Sequence, residues 1–327
     1  MSVTATKVAR VLDGVAIAAE IKAEVGVEVE ALRANGVVPG LVVVLVGEVP
    51  ASAMYVRSKV KTCGELGIYS EMITPPERVS TEEMLEIVAG LNGRDDIDGI
   101  LIQLPLPKHV DTKRLLEAVD PEKDVDGFHP VNAGRLQAGQ PGLQPCTPAG
   151  IMEILRRSEL EIAGKSAVVV GRSDIVGKPA AMMLLNASAT VTVCHSRTED
   201  LPRYTREADI LVAAIGRPGF VTREMVKPGA VLIDVGINRV TEAAEVERFF
   251  PGDEARAEVF RKRGSTVVGD IDPAAFAISG AYTPVPGGVG ALTIAMLMQN
   301  TVTAAKLRRG MGSGPLNLSI PDTSLVR

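Results

Sequence analysis

Tyr55 and Lys59 stand one helical turn apart in ASAMYVRSKVKTCGEL (51–66), where apolar residues recur at helical spacing. At about 100° per residue, Ala53, Val56, Val60 and Cys63 share one face, while Arg57, Lys61 and Glu65 take the opposite one. Tyr55 and Lys59 fall on the flank between them, at i and i+4 and pointing the same way. A lysine half-sheltered at the rim of a core loses part of its proton affinity and becomes usable as a base. A snorkelling lysine beside a packed tyrosine is the plainer reading, and this segment alone favours it.

A second stretch with chemical potential is AVVVGRSDIVGKP (167–179). It reads as strand, glycine turn and helix start, the layout that sets a pyrophosphate on helix N-terminal amides. It departs from GxGxxG: Ser173 occupies the second glycine position, and the third is shifted to Gly177. The next strand ends in Cys194, His195, Ser196 and Arg197, with no carboxylate before Glu199. NAD sites usually carry a carboxylate there for the ribose 2′-hydroxyl. Arg172, Arg197 and the Ser196 hydroxyl can instead neutralise and bond a 2′-phosphate, so NADP is expected over NAD. The competing reading of Arg197 is a solvated loop residue. Farther on, VLIDVGINR (231–239) reaches a strand's carboxyl edge, where Gly236 and Ile237 can pass near a nicotinamide. Asp234 reads better as a buried, loop-anchoring carboxylate than as a catalyst.

These residues need a scaffold of buried strands and covering helices. Asp13 is placed to cap a helix over 14–34 that ends at Asn35-Gly36. LVVVLVG (41–47) and DGILIQLPLP (98–107) read as strands buried on both faces, with a shorter strand near 68–73. Ser80-Thr81-Glu82-Glu83 resembles a capping box. A Pro- and Gly-rich stretch over 119–150 reads as a long active-site loop followed by a domain boundary near Cys146–Thr147. A second series follows: strands at 166–170, 190–194, 210–215 and 230–235, a helix at 176–186, and a charged surface excursion with a helix over 241–263. The run AYTPVPGGVGALTIAMLMQNT leads through a glycine turn into a long helix, apolar enough to pack back on the first domain.

The expected fold class is therefore α/β with two domains, both with parallel-rich sheets, the second Rossmann-like and NADP-binding. The active-site cleft is expected between them. Residues 1–147 with the C-terminal helix 290–309 form the first domain and 148–289 the second. The tail over 310–327 reads as frayed or disordered.

Composition narrows the partners. The 327 residues are 46% hydrophobic but only 3% aromatic, which suits helix-covered parallel strands better than a β-sandwich. A formal net charge of −5 without a long basic run argues against nucleic acid. Cys63, Cys146 and Cys194 are scattered and form no CxxC pair, which suggests reduced thiols in a cytosol-like compartment. His109, His129 and His195 have no ligand spacing, so no metal is expected. No apolar run reaches membrane-spanning length, and a soluble, intracellular, cytoplasmic protein is expected.

Taken in order, YVRSK (55–59), GILIQLPLP (99–107), PEKDVDGFHPVNAGRL (121–136), PCTPAG (145–150), GRSDIVGKP (171–179), DVGINR (234–239) and TPVPGGVG (283–290) resemble the bifunctional methylenetetrahydrofolate dehydrogenase/methenyltetrahydrofolate cyclohydrolase family. The likeness spans about residues 10–305. It implies an NADP-dependent oxidation of 5,10-methylenetetrahydrofolate, hydrolysis to 10-formyltetrahydrofolate, and a homodimer. By the same resemblance Lys59 is the acid/base residue of the hydrolysis and Tyr55 packs on the folate rings. Gln103, beside Leu104, sets the lysine's protonation, and Asp126 binds the pterin edge. Pro286, Gly287, Gly288 and Val289 line the folate pocket, and Gly171, Arg172, Ser173, Ser196 and Ile237 contact NADP. Asp124 competes with Asp126, since either can be a turn-forming carboxylate in DVDG, and the family pattern selects Asp126. Ala291 stands where the family often has proline, a residue that favours a first helical turn.

Three rival readings share some of these motifs. In short-chain dehydrogenases YxxxK follows the dinucleotide loop, whereas Tyr55 lies more than a hundred residues before Gly171. A monofunctional enzyme or a non-catalytic folate-binding protein could dispense with Lys59 or Gln103, and both are present.

Overall fold

Unbroken runs of Val, Leu and Ile leave no face for water, so strands built from them belong in the middle layer of an α/β fold. The computed structural model describes residues 8–47 and 50–311, with side chains of the helix Pro50–Leu66 described from Tyr55 onward. The expected frayed tail lies, beyond Met311, outside the described residues. The chain forms two compact units. One joins the residues up to Ile17 to Thr147–Leu292, and the other joins Ala18–Cys146 to the chain from Thr293 onward.

The unit that carries Lys59 has a three-stranded parallel sheet in the order Tyr69–Ile73, Gly40–Val44, Gly99–Ile102. The central strand is buried along its whole length. Val42, Val44 and Ile100 pack with Met84, Val88 and Leu115 from the covering helices Thr81–Asn92 and Thr112–Ala118. The apolar run at 98–107 yields a strand of only four residues. Gln103 N still donates to Val44 O at 2.9 Å, but Pro105 and Pro107 have no N–H with which to continue the ladder. Ser80 opens the helix Thr81–Asn92 with a complete capping box shared with Glu83.

The stretch 119–150 is less loop-like than expected. It contains the helix Pro130–Gln137, and the helix Cys146–Arg157 begins before the stretch ends. His129 caps the first of these through Nδ1, which accepts from Val131 N at 3.1 Å. That helix is eight residues long and buries only Asn132 and Leu136, so it leaves no apolar period to read.

The other unit has a six-stranded, wholly parallel sheet in the order Arg10–Val11, Ala281–Tyr282, Val231–Asp234, Ile210–Ala213, Ser166–Val170, Thr190–Cys194. The chain leaves Ser166–Val170 for one neighbour and returns to the other, so the strand order reverses at that strand's carboxyl end, as in a Rossmann-like fold. The two-residue strand Arg10–Val11 is too short for any sequence pattern and forms by pairing with Ala281–Tyr282. The charged excursion holds two helices, Ala243–Phe249 and Glu254–Arg263, rather than one. An antiparallel hairpin, Asn238–Val240 with Thr266–Val268, closes its base over a small core of Val240, Val246, Phe249 and Val268.

The helix Val289–Arg308 runs to the far edge of the three-stranded sheet, where Asp98 is fully buried. Asp98 accepts from Arg308 Nη1 at 2.5 Å, Arg309 Nη1 at 2.6 Å and Gly40 N at 3.1 Å. Removing one partner of a buried pair strands the other charges away from water. Asp98→Ala is expected to destabilise the protein by about 3–5 kcal/mol, measured by urea unfolding. A loss below about 1 kcal/mol would place the pair among weak surface contacts.

Candidate active site

The helix Pro50–Leu66 buries Val56 and Cys63 and exposes Arg57, Lys61 and Glu65, as its periodicity requires. Val60 is half-buried. Lys59 is more sheltered than a flanking position suggests, at 8% exposure, whereas Tyr55 keeps 48%. The reason is the strand end opposite: Lys59 Nζ donates to Gln103 Oε1 at 3.0 Å. Gln103 Nε2 in turn donates to Leu104 O at 2.8 Å, which fixes the amide with its oxygen toward the ammonium. A sheltered ammonium thus has a dedicated neutral acceptor.

The charged residues of PEKDVDG divide into separate jobs. Lys123, 1% exposed, donates to the carbonyls of Leu91 (3.2 Å), Asn92 (2.8 Å) and Arg94 (2.6 Å), closing the C-terminus of the helix Thr81–Asn92. Asp124, 4% exposed, accepts from His129 N at 2.8 Å and Asn132 Nδ2 at 3.0 Å, and it is bridged to Ile100. Burial raises its pKa. Asp124 is therefore engaged in holding the loop. Asp126 is half-buried, and burial pushes it up to about 6, with the Lys59 charge pulling it down and Asp124 pushing it further up. The fold thereby gathers Lys59, Gln103, Leu104 and Asp126.

Asn300 was not anticipated. Its Nδ2 donates to Val125 O and Gln144 O, both at 2.8 Å, stitching the residue before Asp126 to the C-terminal helix. The available signal was a polar amide in a strongly apolar helix, which must find partners when buried. Cys146 donates to Val125 O at 3.3 Å, and burial pushes its thiol well above the ordinary range, away from reactive thiolate.

In the other unit the turn after Ser166–Val170 is sterically closed to side chains. Gly171 has φ of +124°, and a Cβ there would meet Ala214 O at 2.1 Å; a Cβ on Gly177 would meet Gly171 O at 2.3 Å. Ser173 closes the turn where a second glycine is usual, its Oγ accepting from Val176 N and Gly177 N at 3.2 Å each. The register Val170↔Cys194 and the bond Gly171 N to Cys194 O (2.9 Å) set Arg172 beside Ser196 and Arg197 on one sheet edge, all three exposed. A tight turn bounded by two glycines that tolerate no Cβ, with two arginines and a serine hydroxyl exposed at the same sheet edge, fits a phosphorylated dinucleotide.

Asp234 is the loop anchor expected of it. It is 2% exposed, accepts from Gly236 N (3.0 Å), Asp270 N (2.8 Å) and Ile271 N (2.9 Å), and burial pushes it up to about 7. Asp270, unforeseen and fully buried, accepts from Ile215 N (2.5 Å), Gly216 N (2.9 Å), Arg217 N (2.8 Å) and Asn238 Nδ2 (2.9 Å). Between them the two aspartates frame Ile237, 52% exposed, and a Cβ on Gly290 would stand 3.1 Å from its Cδ1. Ile237 and the 286–290 turn are thus neighbours. Within that turn Pro286 is exposed, Gly287 half-buried, and Gly288 and Val289 buried. Ala291 N donates to Gly288 O at 3.2 Å, a bond that proline at this position could not make.

A Rossmann-like unit with this glycine turn, and a second α/β unit presenting a lysine, an amide and a carboxylate together, define the class of two-unit dinucleotide-dependent enzymes. The match is specific. Residues 12–126 fit the tetrahydrofolate dehydrogenase/cyclohydrolase catalytic domain and residues 145–309 its NAD(P)-binding domain, and the chain belongs to that family. It is 65% identical over 302 residues to the bifunctional protein FolD of Koribacter versatilis, covering 92% of this chain and 98% of that protein. Among solved structures it is similar to the Campylobacter jejuni bifunctional enzyme FolD, a methylenetetrahydrofolate dehydrogenase/cyclohydrolase. The TM-score is 0.83 and the identity 44%, over 91% of this chain and 99% of that one. It is also similar to the Trypanosoma brucei FolD, a structure complexed with NADP and an inhibitor. There the TM-score is 0.82 and the identity 39%, over 92% and 98% of the two chains.

Asp126 carries a pH signature. Its folded value of about 6 lies above the ordinary 3.8, so the folded state holds the proton more tightly than the unfolded chain. Stability therefore falls as pH rises from about 4 to 6, by up to about 3 kcal/mol, and the penalty is complete at neutral pH. Asp126→Asn is expected to raise Tm at about pH 7.5 but not at about pH 4. An equal shift at both pH values would refute this origin.

Proposed function

We propose that the chain catalyses the NADP-dependent oxidation of 5,10-methylenetetrahydrofolate to 5,10-methenyltetrahydrofolate and the hydrolysis of that product to 10-formyltetrahydrofolate. The observation that carries this reading is the Lys59 ammonium held on Gln103 with Asp126 in its field, in a chain of this family. NADP, when bound, takes up the hydride that leaves the methylene carbon of the substrate. Gly171, Arg172, Ser173, Ser196 and Arg197 hold its phosphates, and Ile237 borders its nicotinamide end. Tyr55 gives a flat, exposed face for the folate rings. Asp126 accepts from the pterin N–H groups, and Leu104, beside Gln103, is a further folate contact of the same unit. Pro286, Gly287, Gly288 and Val289 are folate contacts carried over from the family resemblance.

Oxidation leaves an amidinium-like cation on the folate. Water adds to its carbon and loses a proton, and ring opening then requires a proton on the departing nitrogen. Lys59 carries that proton between the two sites, because its ammonium is positioned by the Gln103 side-chain oxygen and, among the described residues, meets no carboxylate at hydrogen-bond distance. Gln103 holds the ammonium without neutralising it. Residues 1–147 with 290–309 are read as the folate-binding domain and 148–289 as the NADP-binding domain, although 8–17 pack in the unit of 147–292. We further propose a homodimer in the cytoplasm, a reading carried by family membership.

Purified protein given 5,10-methylenetetrahydrofolate is expected to reduce NADP faster than NAD, followed by the absorbances of NADPH and the methenyl product. Equal rates, or an NAD preference, would refute the roles of Arg172, Ser196 and Arg197. Lys59→Met is expected to lower methenyl hydrolysis by at least about 100-fold, the scale of a lost acid/base group. Unchanged hydrolysis would remove Lys59 from the mechanism.

A further inference from the structure

The excursion between Ile237 and Gly269 carries none of the proposed contact residues, yet one of its side chains reaches Val285, next to the 286–290 turn. Arg256 lies in the first turn of the helix Glu254–Arg263, where its own N–H is capped by Asp253 Oδ1 at 3.0 Å. Its guanidinium carbon sits 4.5 Å from the Phe250 ring centroid. Nη1 donates to Val267 O at 3.2 Å, and Nη2 donates to Val285 O at 2.5 Å. Val285 immediately precedes the turn, and the turn's last glycine abuts Ile237.

We propose that Arg256 is a positioning residue: it ties the Val285 carbonyl to the 238–268 excursion and so keeps the 286–290 turn in line with Ile237. The physical case is one of geometry and rigidity. A planar guanidinium can serve two carbonyls on different segments at once, which an ammonium on a flexible stem does poorly. The ring of Phe250 holds that plane from one face. The excursion is stiff enough to act as a fixed point, since it has its own small core and a hairpin base. That base begins at Asn238, whose side chain is fastened to Asp270, so the two ends of the link, Ile237 and Val285, share one anchor. Loss of the link frees the turn without removing any group that touches the reacting atoms.

This inference rests on the proposed folate-lining role of the turn, and its test separates the two. In Arg256→Met, hydrogen exchange of the 283–291 peptide, read by mass spectrometry, is expected to quicken about tenfold, the equivalent of one lost charge-assisted bond. The KM for 5,10-methylenetetrahydrofolate is expected to rise about tenfold, with kcat and the KM for NADP within about twofold of the parent. Arg256→Lys falls between, and millimolar guanidinium restores Arg256→Ala toward the parent KM. Arg261→Met, on the exposed side of the same helix, leaves all of these unchanged. Unaltered exchange overturns the link whether or not the enzyme turns over. Faster exchange with an unchanged folate KM, or an equal rise in both KM values, overturns the positioning role. An inactive parent protein would refute the proposed function, while the exchange measurement would still decide the link.

Discussion

A sheltered ammonium needs an acceptor that does not cancel it, and much of the Lys59 unit is arranged around that requirement. A carboxylate at hydrogen-bond distance would trap the proton in an ion pair, and an apolar wall would drive it off. Gln103 is neutral, and its own N–H is spent on the next carbonyl, so only its oxygen faces the lysine. The strand that delivers Gln103 stops there because prolines follow it. The helix that delivers Lys59 can approach because Val56 and Cys63 bury its other face. The Lys59 charge in turn pulls down the raised pKa of Asp126.

Buried aspartates do the organising elsewhere. Asp98, Asp124, Asp234 and Asp270 are each under 5% exposed and each accepts backbone N–H groups, Asp124 from within its own loop and the other three from segments distant in sequence. A carboxylate has several lone pairs and can satisfy amides that no strand or helix reaches, so it pins irregular loops that would otherwise carry orphaned donors. Asp234 and Asp270 together hold the loops after two neighbouring strands at the carboxyl edge of the larger sheet. This is the place where open α/β sheets bind ligands. Asp126 differs because it keeps part of its surface exposed and lies in the field of Lys59, whereas Asp124, two residues away, is spent on the loop.

Most regular elements were legible because their signals are local. The helix Gly14–Ala34 starts where Asp13 offers its carboxylate to Val15 and Ala16, and the capping box at Ser80 is written in four consecutive residues. The strands 166–170 and 190–194 match their apolar runs residue for residue. What escaped was short or non-local. Arg10–Val11 has no pattern of its own, and Pro130–Gln137 depends on a histidine cap and a loop that folds back on Asp124.

The sequence by itself determined the fold class, the family and the identity of the chemical groups, because periodicity, caps and ordered motifs are properties of neighbouring residues. The segment around Lys59 by itself favoured a snorkelling residue and DVDG by itself did not separate Asp124 from Asp126; only the family resemblance chose Lys59 and Asp126. Only the tertiary structure decided how deeply Lys59 is sheltered and which oxygen it meets, and it assigned Asp124 to the loop. It alone revealed Asn300, Asp270 and Arg256, whose partners lie far along the chain. Burial and hydrogen bonding across such distances are consequences of packing, and no local pattern encodes them.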